Sequence, residues 1–207
     1  MRNVSHARYP LDRLFSNSSH IAILHALQDA QQGMSGRGIA RLAGINHQAC
    51  AMALRNLESF GVLARQGGGR TQLVHLNFHN LLVKDLVLPL LRKERGLFKQ
   101  AQADLVRRFH RDAITMTLFG SVARGHDVLG SDMDILLIAR GSGKNALLQK
   151  AAAHSAEFTN TFGIRLSPIV WSLAEVREKA RQKSPILQNI LSDGLDLVPM
   201  KLKEVLK

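Results

Sequence analysis

The stretch Leu118-Phe119-Gly120-Ser121, followed ten residues later by Asp132-Met133-Asp134-Ile135-Leu136-Leu137-Ile138, constrains the fold of this chain more than any other feature. An apolar run, Ile114 to Phe119, enters a Gly-Ser turn, and Asp-x-Asp opens a second apolar run. Side chains alternate along a strand, so Asp132 and Asp134 share one face while Met133 points to the other. Two carboxylates on one face at the start of a strand make a hard-oxygen site suited to Mg²⁺, with Mn²⁺ as the alternative ion. A glycine lets backbone N–H groups come close to a phosphate, because no Cβ blocks the approach. Phosphate grip and metal carboxylates together are the minimum apparatus for nucleotidyl transfer.

This arrangement resembles the nucleotidyltransferase superfamily that includes DNA polymerase beta, kanamycin nucleotidyltransferase and the minimal nucleotidyltransferases. The resemblance covers about residues 113–200, and Arg124-Gly125 and Ser131 fit its pattern as well. It implies a nucleoside triphosphate (NTP) held by Gly120 and Ser121, with Ser131 in the nucleotide-binding set. It also implies metal on the catalytic pair Asp132 and Asp134, and phosphate charge neutralised by Arg124. Active members carry a third carboxylate on a later strand. The matching segment here, Gly163 to Trp171, contains no acid, and none lies between Glu157 and Glu175. Arg165 or Ser167 occupies that neighbourhood. Loss of a general base typically costs about 10²–10⁴-fold in rate, so the residues favour nucleotide–metal binding over fast turnover.

The net charge of +12 favours a polyanionic partner. Residues 1–79 carry eight arginines and three acids, residues 80–112 eight basic residues and four acids, and residues 113–207 twelve basic residues and nine acids. The excess is densest away from the Asp pair. Within residues 18–78 the pattern predicts a helix over 18–32, a short helix capped by Ser35, and a helix from His47 to Phe60 capped by Asn46. Two β-like runs, Val62–Gln66 and Thr71–Leu76, flank a Gly67–Arg70 tip. This order resembles the winged helix-turn-helix DNA-binding domains of bacterial regulators. The helix from His47 would then be the recognition helix. Asn46, His47, Gln48, Arg55 and Asn56 are its outward candidates, with Arg65 and Arg70 on the wing. The other reading is a protein–protein module with solvated charges.

Residues 80–112 read as a helical connector, kinked at Pro89, whose apolar stripe could carry a homodimer contact. The expected fold class is α+β: a winged helix-turn-helix (1–79), the connector (80–112) and an α/β nucleotidyltransferase-like domain with a mixed sheet (113–207). The Lys-rich end after Met200 is expected to be loose. A single cysteine, Cys50, fits a reducing cytoplasm, and no apolar run suggests a membrane span or secretory signal. Three functions stay open: transfer of a nucleoside monophosphate to an acceptor, nucleotide sensing by a double-stranded-DNA-binding regulator, and modification of a protein partner. The last resembles the antitoxin nucleotidyltransferases that act on a small helical toxin.

Overall fold

A computed structural model gives the fold and describes residue 5 and residues 7–68 and 72–207. The chain divides into two compact units, Met1–Arg95 and Gly96–Lys207. Together they form a mixed α and β structure, consistent with the α+β class.

The first unit begins with α1 (Pro10–Leu14) and α2 (Ser18–Leu27). Asn17, not a serine, caps α2 by accepting the Ser19 amide, and the helix stops at Leu27, five residues before the expected end. α3 (Gly36–Leu42) and α4 (His47–Ser59) follow, each capped as expected, by Ser35 and Asn46. Gly44 takes a left-handed φ of +66° in the turn between them. β1 (Leu63–Gln66) and β2 (Leu73–Leu76) pair antiparallel, and Met34 bridges to Val74 beside them. Ile23, Leu24, Leu27, Ile39, Leu57, Val62 and Leu76 are buried in the core of this unit. Full burial of such a side chain contributes roughly 1.5–3 kcal/mol relative to exposure.

The expected helix from Asn80 instead begins as a π-helical stretch, Leu82–Val87, and becomes α-helical in α5 (Leu88–Phe109). Pro89 has no N–H to give to a carbonyl four residues earlier, so the regular α pattern cannot run back through this point.

The second unit is a four-stranded sheet in the order β5–β4–β3–β6. β3 (Ala113–Phe119) and β4 (Met133–Ala139) are antiparallel, β5 (Leu166–Trp171) is parallel to β4, and β6 (Leu195–Asp196) is antiparallel to β3. β4 is apolar on both faces because helices cover both. Ile135, Leu137 and Ala139 pack with the end of α5 and with α7 (Lys144–Phe162). Leu136 and Ile138 pack with α8 (Leu173–Arg181), α9 (Pro185–Asp193) and α10 (Leu202–Val205). β6 is a strand of only two residues. The chain end is a helix, not a loose tail, because Leu202 and Val205 are buried against that second face. Pro168 lies within β5 at the rim of the sheet. Among the described residues, no helix is long and apolar enough to cross a membrane.

Candidate functional site

Strand register brings the predicted residues of the second unit together. Phe119 at the end of β3 pairs with Asp134 near the start of β4, so the Gly120 turn arises directly beside the carboxylate pair. Gly120 has a φ of +78°, and a Cβ placed there would lie 2.5 Å from Asp134 Oδ2. The position therefore requires glycine twice, once for the backbone conformation and once for the close approach. The short helix α6 (Gly120–Arg124) follows and ends at Gly125, also left-handed.

Asp132 and Asp134 are half-buried, while Met133 is fully buried on the opposite face with Ile135. The acids share the face of Leu136 and Ile138, at the strand's open beginning. Two carboxylates beside a glycine that leaves room at Asp134 are a fitting donor set for Mg²⁺ or Mn²⁺. Among the described residues, no three His, Cys, Asp or Glu side chains gather around one point, so the pair stands without a third such ligand.

The neighbouring strand explains why. Asp134 lies in register with Ser167, and the Met133 amide donates to the Arg165 carbonyl at 2.8 Å. Arg165 Nε donates to Asp132 Oδ1 at 2.7 Å, and its terminal nitrogen donates to Oδ2. This two-pronged pair holds the Asp132 carboxyl below the usual aspartate range, against a weaker opposing effect of burial. Arg165 also feels the charge of Asp134. A cation thus stands at the head of the strand where the resemblance implies an acid. Composition alone does not single out Arg165; the signal is the parallel pairing, which sets residue 165 beside residue 132.

The remaining predicted residues here have partners of their own. Arg124 Nη1 is 3.6 Å from Asp193 Oδ2 at the end of α9. The Ser131 hydroxyl accepts the Val128 amide at 3.0 Å and the Ser131 amide donates to Val128, which closes the loop ahead of the Asp pair. Ser121 accepts the His126 amide through its carbonyl.

In the first unit, Asn46, His47, Gln48, Arg55 and Asn56 are all exposed. Asn46 already uses its side-chain oxygen on the Ala49 amide. Arg65 is bonded to Glu58 and to Gln72. Arg70 lies outside the described residues. Met52 is 57% exposed, because it falls between Gln48 and Arg55 on the outward stripe.

No family profile matches the chain. Over 89 residues it is 35% identical to a protein of Methanocaldococcus jannaschii named "putative protein adenylyltransferase". The match covers 42% of this chain, and the chain spans 58% of that relative's length. The likeness supports a nucleotidyltransferase-type domain.

Proposed function

We propose that the second unit binds a nucleoside triphosphate together with Mg²⁺, or Mn²⁺ in its place, and that the first unit is a winged helix contacting duplex DNA. The observation that carries the first half is the fit of Gly120 against Asp134, with Asp132 on the same face. Backbone N–H groups of the Gly120–Ser121 turn would face phosphate oxygens, while Asp132 and Asp134 hold the metal. The bound ion supplies charge neutralisation of the triphosphate. Arg124 is near enough to the turn in sequence to add positive charge once it leaves Asp193. Ser167, in register with Asp134, cannot take a proton from an acceptor hydroxyl as a carboxylate would. Slow or absent transfer to generic acceptors follows, and the unit then serves as a nucleotide sensor.

The DNA half is supported by the exposed polar stripe on α4, the paired hairpin behind it and the arginine excess of residues 1–79. Transfer of a nucleoside monophosphate to a protein acceptor is the second reading, favoured by the name of the archaeal relative.

Calorimetric titration with Mg-ATP and Mg-GTP tests the site. The Asp132→Asn/Asp134→Asn variant keeps side-chain size but removes the anionic ligands, so binding should be lost; equal affinity in the two proteins refutes the assignment. Incubation with labelled nucleotide and candidate acceptors separates the two readings. Fast metal-dependent labelling that disappears in Asp134→Asn replaces sensing with transfer.

A further inference from the structure

We propose that Arg165 is a triphosphate-binding residue that Asp132 holds in reserve, so that metal and triphosphate each bind more tightly in the presence of the other. The inference rests on the reading of Asp132 and Asp134 as the metal–nucleotide site.

The argument starts from the strands. β4 and β5 run parallel, and residues 132 and 165 lie side by side at their beginnings. Alternation sends Asp132, Asp134, Arg165 and Ser167 to the same face. The backbone therefore starts the Arg165 side chain on the face of the acids, and in the observed rotamer it meets Asp132. It engages Asp132 with two parallel N–H···O bonds, the arrangement that a guanidinium also makes with phosphate. Its side chain is 72% exposed, so solvent and ligands reach it without disturbing the core.

Three consequences follow. First, a divalent ion arriving alone meets an acid already neutralised and a fixed positive charge beside it, so it binds weakly. Second, a triphosphate arriving alone finds its arginine occupied and two carboxylates facing it. Third, when both are present, Asp132 exchanges the guanidinium for the metal, and the freed guanidinium takes a phosphate oxygen pair. Each charge keeps a partner throughout. Metal and triphosphate should thus raise one another's affinity, and by linkage the factor must be the same in both directions.

The full-length protein tests this with probes that do not depend on the base of the nucleotide. Free Mn²⁺ is followed by electron paramagnetic resonance, and inorganic triphosphate with Mg²⁺ by calorimetry. In Arg165→Ala, Mn²⁺ alone should bind about threefold more tightly, because a solvent-exposed competing ion pair is lost. Inorganic triphosphate with Mg²⁺ should bind about tenfold more weakly, because a two-pronged arginine–phosphate contact is lost. Arg165→Lys should retain part of the triphosphate affinity, since a point charge replaces the fork. Opposite movement of the two affinities supports the proposal. Unchanged affinities, or affinities moving in the same direction, overturn it. Asp132→Asn/Asp134→Asn locates the failure: if that variant loses Mn²⁺ while Arg165→Ala is silent, only the role of Arg165 falls. If wild type binds neither probe, or the double variant binds as wild type does, the site reading falls and takes this inference with it.

Discussion

The two units present their candidate residues in opposite ways. In the second, each residue is fixed by backbone geometry: register sets Asp134 beside Phe119, the left-handed Gly120 leaves room for a carboxylate, and the parallel strand brings Arg165 to Asp132. In the first, most of the residues form an exposed stripe on α4 within a segment of net positive charge, and only Asn46, which caps the helix, answers a demand of the backbone. A site that works by geometry leaves constraints that substitution cannot evade. A surface that works by charge leaves only a sign, and its evidence has to come from titration with salt.

Glycine substitution tests that contrast most strongly. Gly120 and Gly44 both adopt positive φ, +78° and +66°. An added Cβ at Gly44 meets nothing within 4 Å, whereas at Gly120 it meets Asp134. Each alanine variant should lose about 1–2 kcal/mol for the left-handed backbone, measured by urea denaturation. Only Gly120→Ala should also weaken metal–triphosphate binding, by about 10–100-fold, because it displaces Asp134, a ligand in the proposed site. Equal effects of both variants on binding would remove the geometric distinction between the units.

Salt dependence addresses the first unit. Arg55→Ala should flatten the log–log slope of duplex DNA binding by roughly 0.9, the loss of one phosphate contact. Arg65→Ala should flatten it by less, since that guanidinium is already bonded to Glu58 and Gln72. A folded protein with no DNA binding at low salt would make the stripe a protein-binding surface. Gln48 and His47 should alter preference among sequences without changing the slope.

The smallest expected effect concerns a well-formed contact away from either proposed surface. The Lys144 ammonium, followed by the Ser172 amide, holds Glu175 below the usual glutamate range. A depressed carboxylate stabilises above its unfolded pKa and loses that contribution as pH falls through the folded value. Lys144→Ala should therefore cost less than about 0.5 kcal/mol at neutral pH, since the pair is partly exposed and screened. The difference from wild type should vanish in strong acid, as followed by thermal unfolding across pH.

Much of this was legible in the residues. The Gly-Ser turn, the Asp-x-Asp strand and the caps at Ser35 and Asn46 are local, and local chemistry survives folding. What depends on pairing at a distance was not. The resemblance set Arg165 or Ser167 near the Asp pair, but the two-pronged bond from Arg165 to Asp132, 33 positions earlier, needs the strand register. The tail helix was hidden because Leu202 and Val205 stand among lysines, and only the sheet face above them makes burial worthwhile. Met52 shows that apolar identity alone does not settle burial, since its phase on the helix turns it outward. Pro89 announced an irregularity in the connector, but not that Leu82–Val87 would be π-helical.

Pro168 shapes how this molecule can meet copies of itself. The Arg165 carbonyl accepts from β4, so the amide of that residue also faces inward, and alternation turns Ser167 inward and Leu166 and Pro168 outward. The outer rim of β5 therefore lacks a donor at its centre, and an incoming strand would find a gap where the ladder should continue. The opposite rim is a strand of only two residues. Both flanks are thus poor templates for strand addition. Edge-to-edge polymerisation is disfavoured by covalent structure, and Pro168→Ala would restore the missing donor and make fibre growth under mild destabilisation the property to watch.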